Sequence, residues 1–354
     1  MKQCYCRERR RALPGVCRER SGFTLVELMT VIAIIGLLSA FSVTIVRSSI
    51  ESAKETQTRT TIAKIDNVLT TAYEKYQYRR VDLTNYYRKY STNRTLAEKT
   101  EYRIGKLRDK LRCDFPCTPE ELGLSSVHSF ENGAKHPDYP DSLEYTPIQW
   151  AIVKAIETAA AGGTLSSLTY EEESPAGTVG YRFVANAELL YLVIMNAEPE
   201  ARSLFSEREV ADVDGNGLKE FVDGWGKPIC WMRWAPSLPR SDRQPSIDSI
   251  RSQVGTNGVP DRYDADPFDP LGLGYGGEVG WFLVPYVFSA GSDGLYGLKM
   301  PGMDGDTNWT NVEFVNNPFE GCSASSWAPS GYALVGQEIN TSYKDNIDNH
   351  TLVR

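Results

Sequence analysis

Residues 23–46 read FTLVELMTVIAIIGLLSAFSVTIV, 24 residues with a single charged side chain, Glu27. At about 1.5 Å of rise per residue, a helix of this length crosses the hydrocarbon core of a bilayer. Residues 1–22 ahead of it carry seven basic side chains, Lys2, Arg7, Arg9, Arg10, Arg11, Arg18 and Arg20, against Glu8 and Glu19. By the positive-inside rule this excess holds the N-terminal side in the cytoplasm, and the chain beyond Arg47 is expected on the far side. An acid at the middle of such a segment costs about 2.5–3.5 kcal/mol on insertion scales, so Glu27 needs a reason to be there.

The helix is expected to continue past the membrane. No proline occurs between Pro14 and Pro116, and the only glycines in that stretch are Gly15, Gly22, Gly36 and Gly105. Ile62, Ile65, Leu69, Ala72 and Tyr76 recur at spacings of three and four, a single apolar stripe that predicts packing against a globular head.

Ser21-Gly22-Phe23-Thr24-Leu25-Val26-Glu27-Leu28 resembles the processing motif of type IV pilins and of the pseudopilins of type II secretion systems. In that family a prepilin peptidase cuts after the glycine and methylates the new N-terminal residue. Carried over, the cut falls between Gly22 and Phe23, and Glu27 becomes the fifth residue of the mature chain. The family's glutamate pairs with the N-terminal amine of a neighbouring subunit. Two opposite charges that must both enter an apolar filament core are costly singly and offset one another when assembled, so Glu27 would set the assembly register. A plain signal anchor, or a secretory signal cut near Ala40-Phe41-Ser42, is the competing reading, and it leaves Glu27 without a role. The absence of proline from the membrane segment departs from many pilins and bears on helix curvature.

The resemblance implies an α+β fold, a long N-terminal helix packed on a small antiparallel sheet. The expected organisation is a basic leader (1–22), the transmembrane half of the helix (23–46), its amphipathic half (47–78), a helical insertion of the head (79–211) and a β-rich head with calcium loops (212–354). Within the insertion, 79–112 is charged and helix-prone, 113–145 is turn-rich, and 146–162 and 185–211 look helical, the latter broken at Pro199. Strands are expected within 228–234, 280–291 and 331–337. The resemblance further implies partners: prepilin peptidase, other pilin-like subunits, an inner-membrane assembly platform with its secretion ATPase, and membrane lipid. The expected location is the inner membrane, single-pass, with the N-terminus cytoplasmic and the head periplasmic or extracellular. The function so implied is that of a structural subunit of a secretion pseudopilus. The alternatives are a type IV pilus subunit for adhesion or motility, and a membrane-anchored exported binding domain or enzyme.

The whole chain holds 38 Lys+Arg against 46 Asp+Glu; without residues 1–22 the balance is 31 against 44, a net of −13. So acidic a head disfavours nucleic acid and favours hard cations. The strongest chemical pattern is Asp212-Val213-Asp214-Gly215-Asn216-Gly217-Leu218-Lys219-Glu220-Phe221-Val222-Asp223. Asp212, Asp214, Asn216, Glu220 and Asp223 stand at positions 1, 3, 5, 9 and 12 of a calcium loop, with Gly217 at the sharp turn and the Leu218 carbonyl at position 7. Aspartate replaces the usual glutamate at the last position. The Gly224-Trp225-Gly226-Lys227-Pro228 that follows precludes a second helix and resembles the Trp-Gly-x-Pro signature of major pseudopilins. A second Ca²⁺ loop is implied by resemblance at Ser289-Ala290-Gly291-Ser292-Asp293-Gly294 with a distal acid, either Asp345 or Asp304 and Asp306. Asp261, Asp264, Asp266 and Asp269, interrupted by Pro267, are expected to form a solvated turn.

Cys113, Cys117, Cys230 and Cys322 lie beyond the leader and are expected either to form two disulfides, in one of three connectivities, or to be buried free thiols; a zinc site lacks its second close pair. His128, His136 and His350 sit in polar context and are expected at the surface. No phosphate-binding glycine loop, Gly-x-Ser-x-Gly elbow or His-Glu-x-x-His is present, and no enzyme is expected.

Overall fold

The computed structural model describes residues 22–81, 95–122, 146–159, 164–166, 170–174, 177–181, 183–246, 248–250, 252, 264–269, 281–300 and 335–351. Two compact units are present, Met1–Glu51 and Ser52–Arg354. Helix α1, Leu25–Gln77, runs unbroken for 53 residues. Its side chains are exposed from residue 22 to residue 53. From Thr58 onward one face is buried, through Ile62, Ile65, Val68, Leu69, Ala72, Tyr73 and Tyr76. The stripe expected from the sequence is therefore the face that enters the head's core. Burying each such aliphatic side chain stabilises the head by roughly 1.5–3 kcal/mol.

Among the described residues the head also contains helices α2 (Leu96–Asp114), α3 (Pro147–Ala159) and α4 (Phe183–Ala197). Thr95 and Glu98 form a reciprocal capping box at the start of α2. Thr146 accepts from the Gln149 amide at 3.1 Å to cap α3, whose first residue is Pro147. Helix α4 ends before Pro199, which opens a 3-10 turn over Pro199–Ser203, in line with the expected break. Apolar on nearly every face, α4 is almost wholly buried, as such a helix must be.

The strands are short. β1 (Tyr170–Ser174) and β2 (Gly177–Tyr181) form an antiparallel hairpin, and β3 (Val210–Ala211) pairs antiparallel with β4 (Glu220–Phe221) across the acidic loop. β5 (Cys230–Met232), β6 (Tyr286–Ser289) and β7 (Ile347–Asp348) make a three-stranded antiparallel sheet, with Trp231 opposite Val287 and Phe288 opposite Asp348. The architecture is a long apolar N-terminal helix packed with small antiparallel sheets, an α+β pilin-like fold.

Helix α1 makes a close approach at Gly224. Its amide donates to Thr58 Oγ1 at 2.9 Å, and a Cβ built there would lie 2.5 Å from the Lys54 carbonyl oxygen. Only glycine fits.

Several expectations are corrected. His350 is buried, with Nδ1 at 2.8 Å from Ser241 Oγ, Nε2 at 3.2 Å from the Pro285 carbonyl and its ring edge-on to Tyr286. A carbonyl only accepts, so Nε2 carries the proton and Nδ1 accepts from the serine. Burial, with the Arg243 charge adding to it, lowers the His350 pKa to about 3. Asp266 and Asp269 are likewise buried, and Asp266 pairs with the buried Arg108 of α2, so this acidic stretch is a core ion pair in place of a solvated turn. Of the strand expected at 331–337, the described residues 335–337 form a turn with Gly336 at φ 87°, and among the described residues the antiparallel bridge beside it joins Leu298 to Glu338. Cys113, Cys117 and Cys230 are buried. Cys322, His128, His136, Asp261, Asp304, Asp306, residues 331–334 and the leader 1–21 lie outside the described residues.

Candidate processing signal and candidate metal centre

At the head of α1, Phe23 is 74 % exposed, and a Cβ built at Gly22 meets nothing within 4 Å. Among the described residues the Gly22–Phe23 junction is thus sterically open. Glu27 closes a capping box with Thr24: Glu27 Oε2 accepts from the Thr24 amide and hydroxyl, both at 2.9 Å, and the Glu27 amide donates to Thr24 Oγ1 at 3.2 Å. The Thr24–Glu27 pair therefore satisfies two of the first amides of the helix, the glutamate taking that of Thr24 and the threonine that of Glu27. The Thr-x-x-Glu spacing was present in the sequence and carried this second role.

Residues 17–43 match the family described as the prokaryotic N-terminal methylation motif. The chain carries a prepilin-type processing signal. That signal implies cleavage by prepilin peptidase and assembly with other pilin subunits. With the helix that follows, which among the described residues is the one long and apolar enough to cross a membrane, the signal supports a pilin-like subunit anchored at its N-terminus. No curated protein matches the chain. No solved structure matches it either.

In the head, Gly215 and Gly217, at φ 76° and 95°, fold the acidic loop back on Asp212. Both Asp212 oxygens accept loop amides, from Gly215 at 2.7 Å and Gly217 at 3.0 Å. Asp214 accepts from the Asn216 amide at 3.2 Å, and Asn216 Oδ1 accepts from the Leu218 amide at 2.7 Å. The loop ends in β4, where Glu220 is fully buried. Glu220 Oε2 accepts from the Val213 amide at 2.8 Å, while Oε1 is buried with no hydrogen-bond partner among the described residues.

The structure brings to this loop a residue that the spacing argument missed. Glu188 of α4, fully buried, accepts from the Ser166 amide at 2.8 Å and from Asn216 Nδ2 at 2.5 Å. Carboxylate oxygens of Glu188, Asp214 and Glu220 all lie within 4.8 Å of one another. Burial, reinforced by the charges of Asp214 and Asp212, raises the pKa of Glu188 to about 7. Burial, with Glu188, Asp214 and Asp212 acting in the same direction, raises that of Glu220 to about 8. A lone acid in an otherwise apolar helix was the available signal for Glu188.

Asp223 is placed elsewhere. Its Oδ1 accepts from the Trp225 and Lys227 amides, each at 2.9 Å, and its Oδ2 from Ser289 Oγ at 2.6 Å. It thus forms the Asp223–Gly226 turn and ties that turn to β6. Ser289 takes part in that tie, and it also accepts from the Gly291 amide at 3.1 Å. The C-terminal turn does meet Asp345, whose Oδ2 accepts from Ser292 Oγ and the Asp293 amide, both at 3.2 Å. A Cβ at Gly291 would come within 2.4 Å of the Asp345 carbonyl oxygen, so this approach requires glycine. Asp293 and Asp345 are exposed, and Asp293 Oδ1 accepts from the Leu295 amide at 2.8 Å.

Proposed function

We propose that this chain is a pseudopilin of a type II secretion system, a structural subunit and not a catalyst. Prepilin peptidase cuts it between Gly22 and Phe23 and methylates Phe23. The subunit is then drawn from the inner membrane into a periplasmic filament by an assembly platform and its secretion ATPase. The observation that carries the reading is the joint one: a prepilin-type signal over 17–43 runs into one uninterrupted helix whose apolar half bears a single acid, Glu27. The Trp225-Gly226-Lys227-Pro228 turn on the sheet favours a pseudopilin over a surface pilin.

In the filament, Glu27 exchanges its Thr24 partners for the new amine of a neighbouring Phe23, so a cleaved neighbour is required before the acid is neutralised in an apolar core. The test is expression of the full chain with and without prepilin peptidase. Mass spectrometry is expected to show N-methylated Phe23 only with the peptidase. Glu27→Ala is expected to be processed but to leave the subunit out of cross-linked filaments. An unprocessed chain, or wild-type assembly by Glu27→Ala, overturns the filament reading. Deletion of the gene is expected to block export of secreted proteins; loss of surface fibres or motility with export intact points to a type IV pilus instead.

A further inference from the structure

The head contains one fully buried polar oxygen that is both acidic and without a partner among the described residues, Glu220 Oε1. Native proteins rarely leave such a group unsatisfied, and an ion is among the ordinary explanations. Its surroundings narrow the choice. Two further carboxylates, Glu188 and Asp214, have oxygens within 4.8 Å. Three like charges so close, two of them out of contact with water, repel one another unless a cation or protons intervene.

Hydrogen bonds from the protein hold these oxygens in place. The Ser166 amide and the Asn216 side chain fix Glu188, the Val213 amide fixes Glu220, and Asp212 clamps the loop that presents Asp214. Such positioning is what a built site requires, since the ligands need not be reorganised on binding. The donors are all carboxylate oxygens, with neither imidazole nor thiolate, a set suited to a hard divalent cation and poorly suited to zinc or copper.

We infer that Glu188, Asp214 and Glu220 form a Ca²⁺ site that clips α4 to the β3–β4 loop. The site differs from the twelve-residue loop pattern in two respects. A helix remote in sequence supplies Glu188, and Asp223, the expected twelfth-position ligand, lies outside the three carboxylates whose oxygens come within 4.8 Å of one another, its own oxygens facing the Trp225 turn and Ser289. Asp212 and Asn216 position the ligands in this arrangement. Calcium then stabilises the head by binding the folded state alone and joining two segments that otherwise repel. The inference rests on the head and is independent of the filament reading.

The test is thermal unfolding of the full-length protein in detergent, with Ca²⁺, with Mg²⁺ and with chelator. An Asp345→Asn background removes any contribution from the C-terminal turn. Calcium is expected to raise the Tm more than magnesium at equal concentration. Glu188→Gln is expected to abolish the calcium-induced rise, whatever it does to the Tm in chelator. Asp223→Asn is expected to keep that rise whatever it does to the starting Tm. If Glu188→Gln does not fold, Glu220→Gln is expected to abolish the calcium-induced rise in the same way. No calcium-induced rise in the background protein, or a full rise in the glutamine variants, or its loss in Asp223→Asn, overturns the assignment.

Discussion

In the first half of α1, Leu28, Ile32, Ile35 and Leu38 are exposed on a helix that is apolar all round, whereas in the second half Ile62, Ile65 and Leu69 are buried and the opposite face is polar. The contrast separates two solvents. A helix apolar on every face finds its partner in lipid or in the equivalent helices of a filament, while an amphipathic one finds it in its own head. The single acid of the first half is capped by Thr24, and the acids near the second half are handled differently: Glu209 is held by Lys64 and Thr61 of α1 at 2.8 and 2.9 Å.

Paired truncations sharpen this contrast. Ile65→Ala is expected to lower head stability by about 2–5 kcal/mol through lost burial and a residual cavity. Ile32→Ala, in the exposed half, is expected to change head stability by less than about 0.5 kcal/mol. Denaturant unfolding followed by tryptophan fluorescence measures both, and equal losses would mean that the two halves do not differ in their partner.

A smaller effect is expected from the sheet side of the head. His350 has a folded-state pKa near 3, below its unfolded value of about 6.5, so the unfolded chain binds the extra proton first as the pH falls. The neutral ring's contribution to stability is therefore complete above about pH 6.5 and declines as the pH falls toward 3. Between pH 7 and pH 5 the decline amounts to about 2 kcal/mol. Comparison with His350→Gln isolates it from the carboxylates: the stability difference between the two proteins is expected to narrow by that amount, and a constant difference would show that the ring titrates normally.

The smallest change is expected on the outer face of α1. Arg59 pairs with Glu55 one turn earlier at 2.9 Å with both side chains exposed, and Glu55→Ala is expected to cost at most about 0.5 kcal/mol by the same denaturant assay. A larger loss would mean that this face too is engaged.

Much of this was legible in the chain. The 23–46 run, the Gly22–Phe23 junction, Glu27 and the apolar stripe from Ile62 to Tyr76 are local patterns, and local patterns survive in a linear reading because a helix places residues by sequence distance alone. The breaks at Pro199 and the strand at Cys230–Met232 are of the same kind. The acidic loop was also visible, as a run of oxygen donors punctuated by glycines.

What the loop does with its neighbours was decided by tertiary structure. Glu188 lies 24 residues before Asp212 and 32 before Glu220, and only the packing of α4 against β4 brings its carboxylate to them. Asp223 belongs to the loop by spacing, yet Ser289, 66 residues further on, and the Trp225 turn claim both of its oxygens. His350, Asp266 and Asp269 looked solvated by their neighbours in sequence and are buried by distant ones. Spacing along a chain determines which face of an element a side chain occupies; which charges share a desolvated space depends on contacts between elements, and those arise only when the core closes.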